Sequence, residues 1–433
     1  MNKRELFPPA VRAALQYPAP GAWMPEVPAG AIRLSAGYPD ASLIPTAEFT
    51  RSIQALVQEE RDLPFHYLGS SYATNLRQWA RNHLASRGIV VDGAQTQLLI
   101  TAGAIQGLDL IARVLLDSTR AVLVEAPTYM EALEIFQNYT DDIIAVPMDA
   151  DGLRLDALEQ ILEARLAAHQ VMPTFLYTIP TFQNPTGYTL SDARRRRLLD
   201  LAKRYDFLIV EDDAYGEIFF QHPPVALKAL DEEKDQVIHV GSLSKVLGPG
   251  LRVGWSVGPA PIIDAMSVFK KDLDHTFVEA AVGFYLQQSD WPAQLATIRA
   301  TYHARCDEML HLLAKSMPQD VTWTTPQGGY FVWVHVPGVD TLALLPHALR
   351  AGVAYIPGYY FYKAPIPAAV GGAPAVGGAV APVVAGVPAG GAAVAGAGAG
   401  AEYLRLSFSH VSPAEMASGI ERLAAAIRAF RGD

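Results

Sequence analysis

The chain has a single cysteine, Cys306, in 433 residues. One thiol excludes an internal disulfide framework and any metal site built from several cysteines, leaving Cys306 as a structural thiol on a helix. The eleven histidines are scattered without metal-ligand spacing, so no metal is expected. Positive charge is also scarce. Lysine and arginine number 34 against 44 acidic residues, a formal net charge of −10. That balance excludes a general nucleic-acid or membrane-surface binder, which needs clustered cations. The one basic run, Arg194-Arg195-Arg196-Arg197, leads into Leu198, Leu199 and Leu201 at helical spacing, which predicts a solvated helix face. Proline and glycine interrupt every long apolar region, and the N-terminus lacks an apolar core of signal-peptide length. The expectation is a cytoplasmic enzyme with neither a nucleic-acid nor a membrane partner. No G-x-G-x-x-G stands at a strand-to-helix turn. Ser242-Leu243-Ser244-Lys245 fits an S-x-x-K pattern but has no S-D-N or K-T-G companion.

What is present is apolar bulk, half of all residues, in a chain long enough for one large and one smaller domain. Between about residues 95 and 257, short apolar runs alternate with helical patterns. Leu98–Ile100, Ala121–Val124, Phe175–Tyr177, Phe207–Val210 and Val237–Val240 read as buried strands, with Ala104–Leu116 and Ser191–Tyr205 as helices between them. The fold class predicted is α/β: a mainly parallel sheet flanked by helices, joined to a smaller α+β domain. The boundaries expected are an N-terminal segment over 1–45 packing with the small domain, a large domain over 46–293 and a small domain over 294–433. The small domain draws on a long helix through Arg299 and Leu313, the strands Tyr330–Val334, Val353–Ile356 and Tyr403–Phe408, and a closing helix to Phe430. Residues 364–401 contain only Ala, Gly, Val, Pro and Ile, and read as a low-complexity surface loop inserted in that domain.

In parallel sheets ligands gather beyond the carboxyl ends of the strands. Here those ends carry Thr101-Ala102-Gly103-Ala104, Gln183-Asn184-Pro185-Thr186-Gly187, Glu211-Asp212-Asp213-Ala214-Tyr215 and Ser242-Leu243-Ser244-Lys245, the last followed by Gly250-Leu251-Arg252-Val253-Gly254. Together they offer an amine, a carboxylate, an amide, a phenol, a guanidinium with a hydroxyl, and a helix N-terminus. An aldehyde cofactor with a pyridine ring and a phosphate needs that set. An amine forms a Schiff base with a carbonyl, and a carboxylate keeps the ring nitrogen protonated. Backbone N–H groups, arginine and serine hold a phosphate.

These strings resemble the signatures of fold-type I enzymes of aminotransferase class I/II that use pyridoxal 5'-phosphate (PLP), in particular the branch with 2-aminoadipate and kynurenine aminotransferases. The resemblance runs from about Ile32 to Phe430, outside the low-complexity stretch. It implies an aspartate-aminotransferase-like fold and transfer of an amino group from an L-amino acid, aromatic or long-chain and 2-aminoadipate-like, to a 2-oxo acid such as 2-oxoglutarate. It implies that Lys245 forms the internal aldimine and shuttles a proton, that Asp212 pairs with the ring nitrogen, and that Asn184 and Tyr215 hold the ring oxygen. Tyr129 would stack on the ring, while Ala104, Ile105, Ser242 and Arg252 would bind the phosphate. Arg405 would grip the substrate α-carboxylate, with Gly37 letting backbone approach it. Tyr67 would reach into a partner subunit's site, making the protein a homodimer. Tyr72 stands where the family has glycine, and the expectation is that it narrows the site. Tyr38, Tyr67, Tyr72, Tyr129, Tyr359 and Tyr360 are expected near the pocket. Lyase, decarboxylase or oxidase chemistry on the same scaffold stays open. A PLP-sensing regulator of the winged-helix kind is not expected, since thirty or so residues stand before Ile32.

Overall fold

The computed structural model describes residues 3–432 except 16, 18–20, 22–25, 68, 234, 272–274 and 364–397. Nearly all of the expected low-complexity loop therefore lies outside the described residues. In chain order the strands are β1 (Ile32–Arg33), β2 (Thr96–Thr101), β3 (Ala121–Ala126), β4 (Ile143–Asp149), β5 (Gly152–Leu153), β6 (Pro173–Thr178) and β7 (Leu208–Asp212), then β8 (Val237–Ser242) and β9 (Gly254–Pro259). They continue with β10 (Thr322–Trp323), β11 (Phe331–His335), β12 (Val353–Ala354), β13 (Ile356–Pro357) and β14 (Tyr403–Ser407).

Eight of them form one sheet in the order β2-β9-β8-β7-β6-β3-β4-β5. The run from β8 to β4 is parallel, while β9 is antiparallel to both neighbours. The strands form because their residues are apolar and β-branched and are buried on both faces. Alternation sorts the side chains. Val122, Val124, Tyr177, Val210 and Val240 pack on one face with Leu108, Ile111 and Phe136. Leu123, Leu176, Ile209 and Val237 pack on the other with Leu158, Leu162, Leu198 and Leu201.

A second sheet, β10-β11-β14-β13, is antiparallel throughout. Its core joins the helices Trp291–Ser316, Thr341–Arg350 and Pro413–Arg431, the last opened by a Ser412–Glu415 capping box. Strand β1 pairs in parallel with β12, so the N-terminal segment is stitched to this part of the chain. The run Val353–Ile356, expected as one strand, divides. Val353 and Ala354 pair with β1, and the chain then turns so that Ile356 and Pro357 pair with β14.

The basic run is a second correction. Arg195 is fully buried, because it shares the core-facing stripe of helix Asp192–Tyr205 with Leu198 and Ala202. Its guanidinium donates to the carbonyls of Leu190 and Pro180 and to Thr181 Oγ1. Cys306 lies on a helix, Trp291–Ser316, as expected, but is fully rather than partly buried. No helix of the described residues is long and apolar enough to cross a membrane.

Candidate active site

A cavity of about 280 Å³ opens at the carboxyl edge of the eight-stranded sheet, under the edge of the smaller one. Each strand delivers its polar group by topology. Asp212 and Ser242 are the last residues of β7 and β8, and Lys245 follows three positions on. Tyr129 follows β3, Asn184 follows β6, and Ala104 opens the helix after β2. Arg252 precedes β9, whose reversed direction puts its amino end at this same edge.

The helix Ala104–Leu115 begins after Gly103, whose φ of +85° suits only glycine. A Cβ there would also sit 2.8 Å from Arg252 Nη2. The glycine therefore lets the guanidinium cross the helix start, where Arg252 Nη2 donates to Ala102 O at 3.0 Å. Helix starts leave backbone N–H groups unsatisfied, so those of Ala104 and Ile105 with Arg252 make an anion cradle. Ser242 Oγ lies among them, bonded to Ser244 Oγ at 2.9 Å.

Lys245 Nζ donates to Gly37 O at 2.9 Å, and Tyr330 OH donates to the Lys245 carbonyl at 2.6 Å. Burial, assisted by the Arg405 charge, pushes the Lys245 amine down to about 8. Much more of it is then free base near neutrality than in an exposed lysine. Asp212 Oδ2 accepts from Tyr177 OH at 2.8 Å, and burial pushes this carboxyl up to about 6. Its other oxygen, Oδ1, is buried with no partner among the described residues. Glu125, behind Gln183 and Thr178, is pushed by burial to about 7.

Arg405 lies within β14, its Nη1 donating to Asn184 Oδ1 at 2.8 Å and Nη2 to Ser35 O at 2.9 Å. Phe331 and Phe361 flank its guanidinium at 4.1 and 5.2 Å, fixing its plane. Burial pushes its pKa down to about 10, and Nε has no partner among the described residues. A Cβ on Gly37 would meet Phe331 at 3.0 Å, so a side chain there would crowd this wall.

The cavity thus gathers Lys245, Asp212, Asn184, Tyr129, Tyr215, Ala104, Ile105, Ser242, Arg252, Gly37 and Arg405 in one chain. Tyr67 is not brought in: it is 86% exposed and lies outside the cavity lining. The expectation for Tyr72 is corrected. Its hydroxyl donates to Glu59 and its ring packs on Phe284, so it does not line this cavity. Of the six tyrosines expected near the pocket, only Tyr38 and Tyr129 line it.

Sequence reasoning missed Tyr177, Ser244, Glu131, Phe331 and Tyr330. Tyr177 had a readable signal. It pairs in register with Val210, and two-residue alternation puts Asp212 on that same face. The others come from segments whose approach depends on how the two sheets meet.

The unpartnered Asp212 Oδ1 suits a protonated ring nitrogen, the cradle at Gly103 suits a phosphate, and the Lys245 amine suits a carbonyl carbon. The donor set therefore fits PLP. Residues 31–370 match the family Aminotransferase class I and II. Aromatic-amino-acid aminotransferase 1 of Thermococcus litoralis is 36% identical over 340 residues, covering 76% of this chain and 80% of that protein. The crystal structure of a multiple substrate aminotransferase from Thermococcus profundus superposes with a TM-score of 0.84 at 31% identity, covering all of both chains. That of LysN, an alpha-aminoadipate aminotransferase of Thermus thermophilus complexed with N-(5'-phosphopyridoxyl)-L-leucine, gives 0.81 at 29%, again over all of both chains.

Proposed function

Since the chain belongs to the aminotransferase class I and II family and is a transaminase, we propose that it moves an amino group from an L-amino acid with an aromatic or long side chain to a 2-oxo acid, 2-oxoglutarate among them, using PLP held on Lys245. The observation that carries this reading is the joint lining of one cavity by the low-pKa Lys245 amine, the unpartnered Asp212 oxygen and the Arg405 fork. When bound, PLP supplies a pyridinium ring that withdraws electrons from the substrate α-carbon.

The chain's own residues do the rest. The Asp212 carboxylate, oriented by Tyr177, keeps the ring nitrogen protonated. The N–H groups of Ala104 and Ile105, with Ser242 and Arg252, would hold the phosphate, and Tyr129 would pack against the ring. Asn184 and Tyr215 hold the ring oxygen. Arg405, its plane set by Phe331, takes the α-carboxylate as a fork, with the Gly37 backbone beside it. The Lys245 amine, lowered by burial, would take and return the α-proton. On this reading residues 46–293 are the cofactor-binding domain, 294–433 the smaller one, and 1–45 a segment packed on the latter, a division the β1–β12 pairing supports. The exposure of Tyr67 supports a homodimer in which that side chain serves the partner's site.

A two-stage spectroscopic assay tests the proposal. The purified holoenzyme's cofactor absorbance is expected to change on adding an aromatic amino acid and to return on adding a 2-oxo acid. Borohydride is expected to fix the cofactor on Lys245. A fixed label on another lysine, or a cofactor band indifferent to amino acids, overturns the reading.

A further inference from the structure

One charged group of the cavity wall has no task in that scheme. Glu131 stands two residues after Tyr129, in the first turn of helix Met130–Gln137, and lines the cavity that holds Lys245 and Arg405. It accepts a hydrogen bond from Tyr129 OH at 2.5 Å. No cationic side chain pairs with it among the described residues. Its field reaches the reacting centre, opposing the burial that lowers both Lys245 and Arg405. Four other charged groups of the described lining are committed on the proposed reading: Lys245 to the cofactor, Asp212 to the ring nitrogen, Arg252 to the phosphate and Arg405 to the α-carboxylate. Arg33 also lines the cavity, but it is exposed to solvent, where screening weakens a charge. Much of the remaining wall is apolar, with Leu108, Met130, Ile179 and Ile356. Among the described residues, a substrate side chain therefore meets apolar surface and the half-buried negative charge of Glu131.

We propose that Glu131 is a specificity-determining residue that favours side chains ending in an apolar, N–H-bearing or cationic group over those ending in a carboxylate. A second substrate carboxylate brought beside Glu131 would give two like charges in a partly desolvated cavity, which is costly. An ammonium or N–H donor would find an acceptor there. The same rule ranks 2-aminoadipate below an aromatic donor, and 2-oxoglutarate below a 2-oxo acid without a second carboxylate. The inference rests on the reading that Arg405 takes the α-carboxylate.

Glu131→Gln is the test, because the amide keeps the volume and an acceptor for Tyr129 OH while removing the charge. In the holoenzyme, with pyruvate as fixed acceptor, the ratio of kcat/KM for 2-aminoadipate to that for phenylalanine is expected to rise about tenfold. The ratio for ornithine to phenylalanine is expected to fall. A binding measurement needs no turnover: calorimetric Kd values for adipate and 3-phenylpropionate should shift in the same sense, adipate gaining on its competitor. Ratios within twofold of the wild type in both assays overturn the proposal and leave Glu131 as a pin for Tyr129. A wild-type holoenzyme that binds both acids but transaminates nothing sinks the earlier reading instead, while the Kd ratios still decide this one.

Discussion

The eight-stranded and four-stranded sheets both end at the cavity, but they hold their functional groups in different ways. Asp212, Ser242 and Lys245 sit at or just past strand ends, on backbone turning into loops, and Tyr177 and Tyr330 steady Asp212 and Lys245 through single hydrogen bonds. Arg405 lies mid-strand, between Trp333 of β11 and Ile356 of β13, so its backbone is fixed on both sides. The first arrangement places groups whose protonation matters, and burial shifts Lys245 and Asp212 toward neutrality. The second places a permanent cation whose direction matters, clamped by aromatic rings and two hydrogen bonds. Large-sheet residues are suited to chemistry and the small-sheet arginine to recognition.

The sharpest way to break that contrast uses two adjacent acids. Asp212 faces the cavity, whereas Asp213 points to the opposite side and pairs with Arg87 Nη1 at 2.5 Å. Asp212→Asn is expected to lower kcat by about 100-fold with the cofactor retained, because the lost charge acts mainly in the transition state. Asp213→Asn is expected to cost about 2 kcal/mol of stability, because Arg87 loses one of its two carboxylates and keeps only Glu217, and to cost much less in turnover. Steady-state kinetics and urea unfolding of both variants check this. Equal kinetic losses would erase the distinction between the two side chains.

A smaller effect probes the other sheet. Arg405→Lys keeps the charge but loses the planar fork, so KM for the amino donor is expected to rise about 10-fold, with kcat changed less. Cofactor affinity, read from absorbance titration, is expected to hold. A loss falling on cofactor binding instead would make Arg405 part of the large-sheet machinery.

The same contrast explains what was legible. Strand-end groups travel with their strand, so Asp212 after Leu208–Val210 and Lys245 after Val237–Val240 could be read as a set. The helix start at Ala104 was legible for the same reason. Arg405 on an alternating strand carried no signal by itself, and its place followed only from resemblance. Tyr72 misled because position in a motif says nothing about direction: Glu59 and Phe284 draw its side chain away. The burial of Arg195 was hidden in a run of four arginines, since composition alone cannot tell which one a helix turns inward. β9 was not among the strands read because Gly254-Trp255-Ser256-Val257-Gly258-Pro259 has a glycine near each end and no continuous apolar run, although all six residues are buried.

The smallest expected effect concerns stability and follows from the sign of the Lys245 shift. In the cofactor-free protein the folded-state pKa is about 8, against an ordinary value of 10.5. Below about 8 the amine is protonated in folded and unfolded chains alike, and the folded state bears the full cost of burying an ammonium. Between about 8 and 10.5 the unfolded chain binds a proton that the folded chain does not, so stability rises with pH across that window. Methionine at this position has nearly the same length and no charge, so Lys245→Met removes the dependence. It also removes the donor to Gly37 O, a loss that is the same at every pH. The stability of the Met variant minus that of the wild type is therefore expected to be most favourable at pH 7 and to decline steadily toward pH 10.5. Other titrating groups shared by the two proteins cancel in this difference. Thermal unfolding of both cofactor-free proteins at pH 7, 8.5 and 10 measures it. A difference that grows with pH would mean that Lys245 is stabilised as a cation in the folded chain, with Asp212 and Glu131 outweighing burial and Arg405.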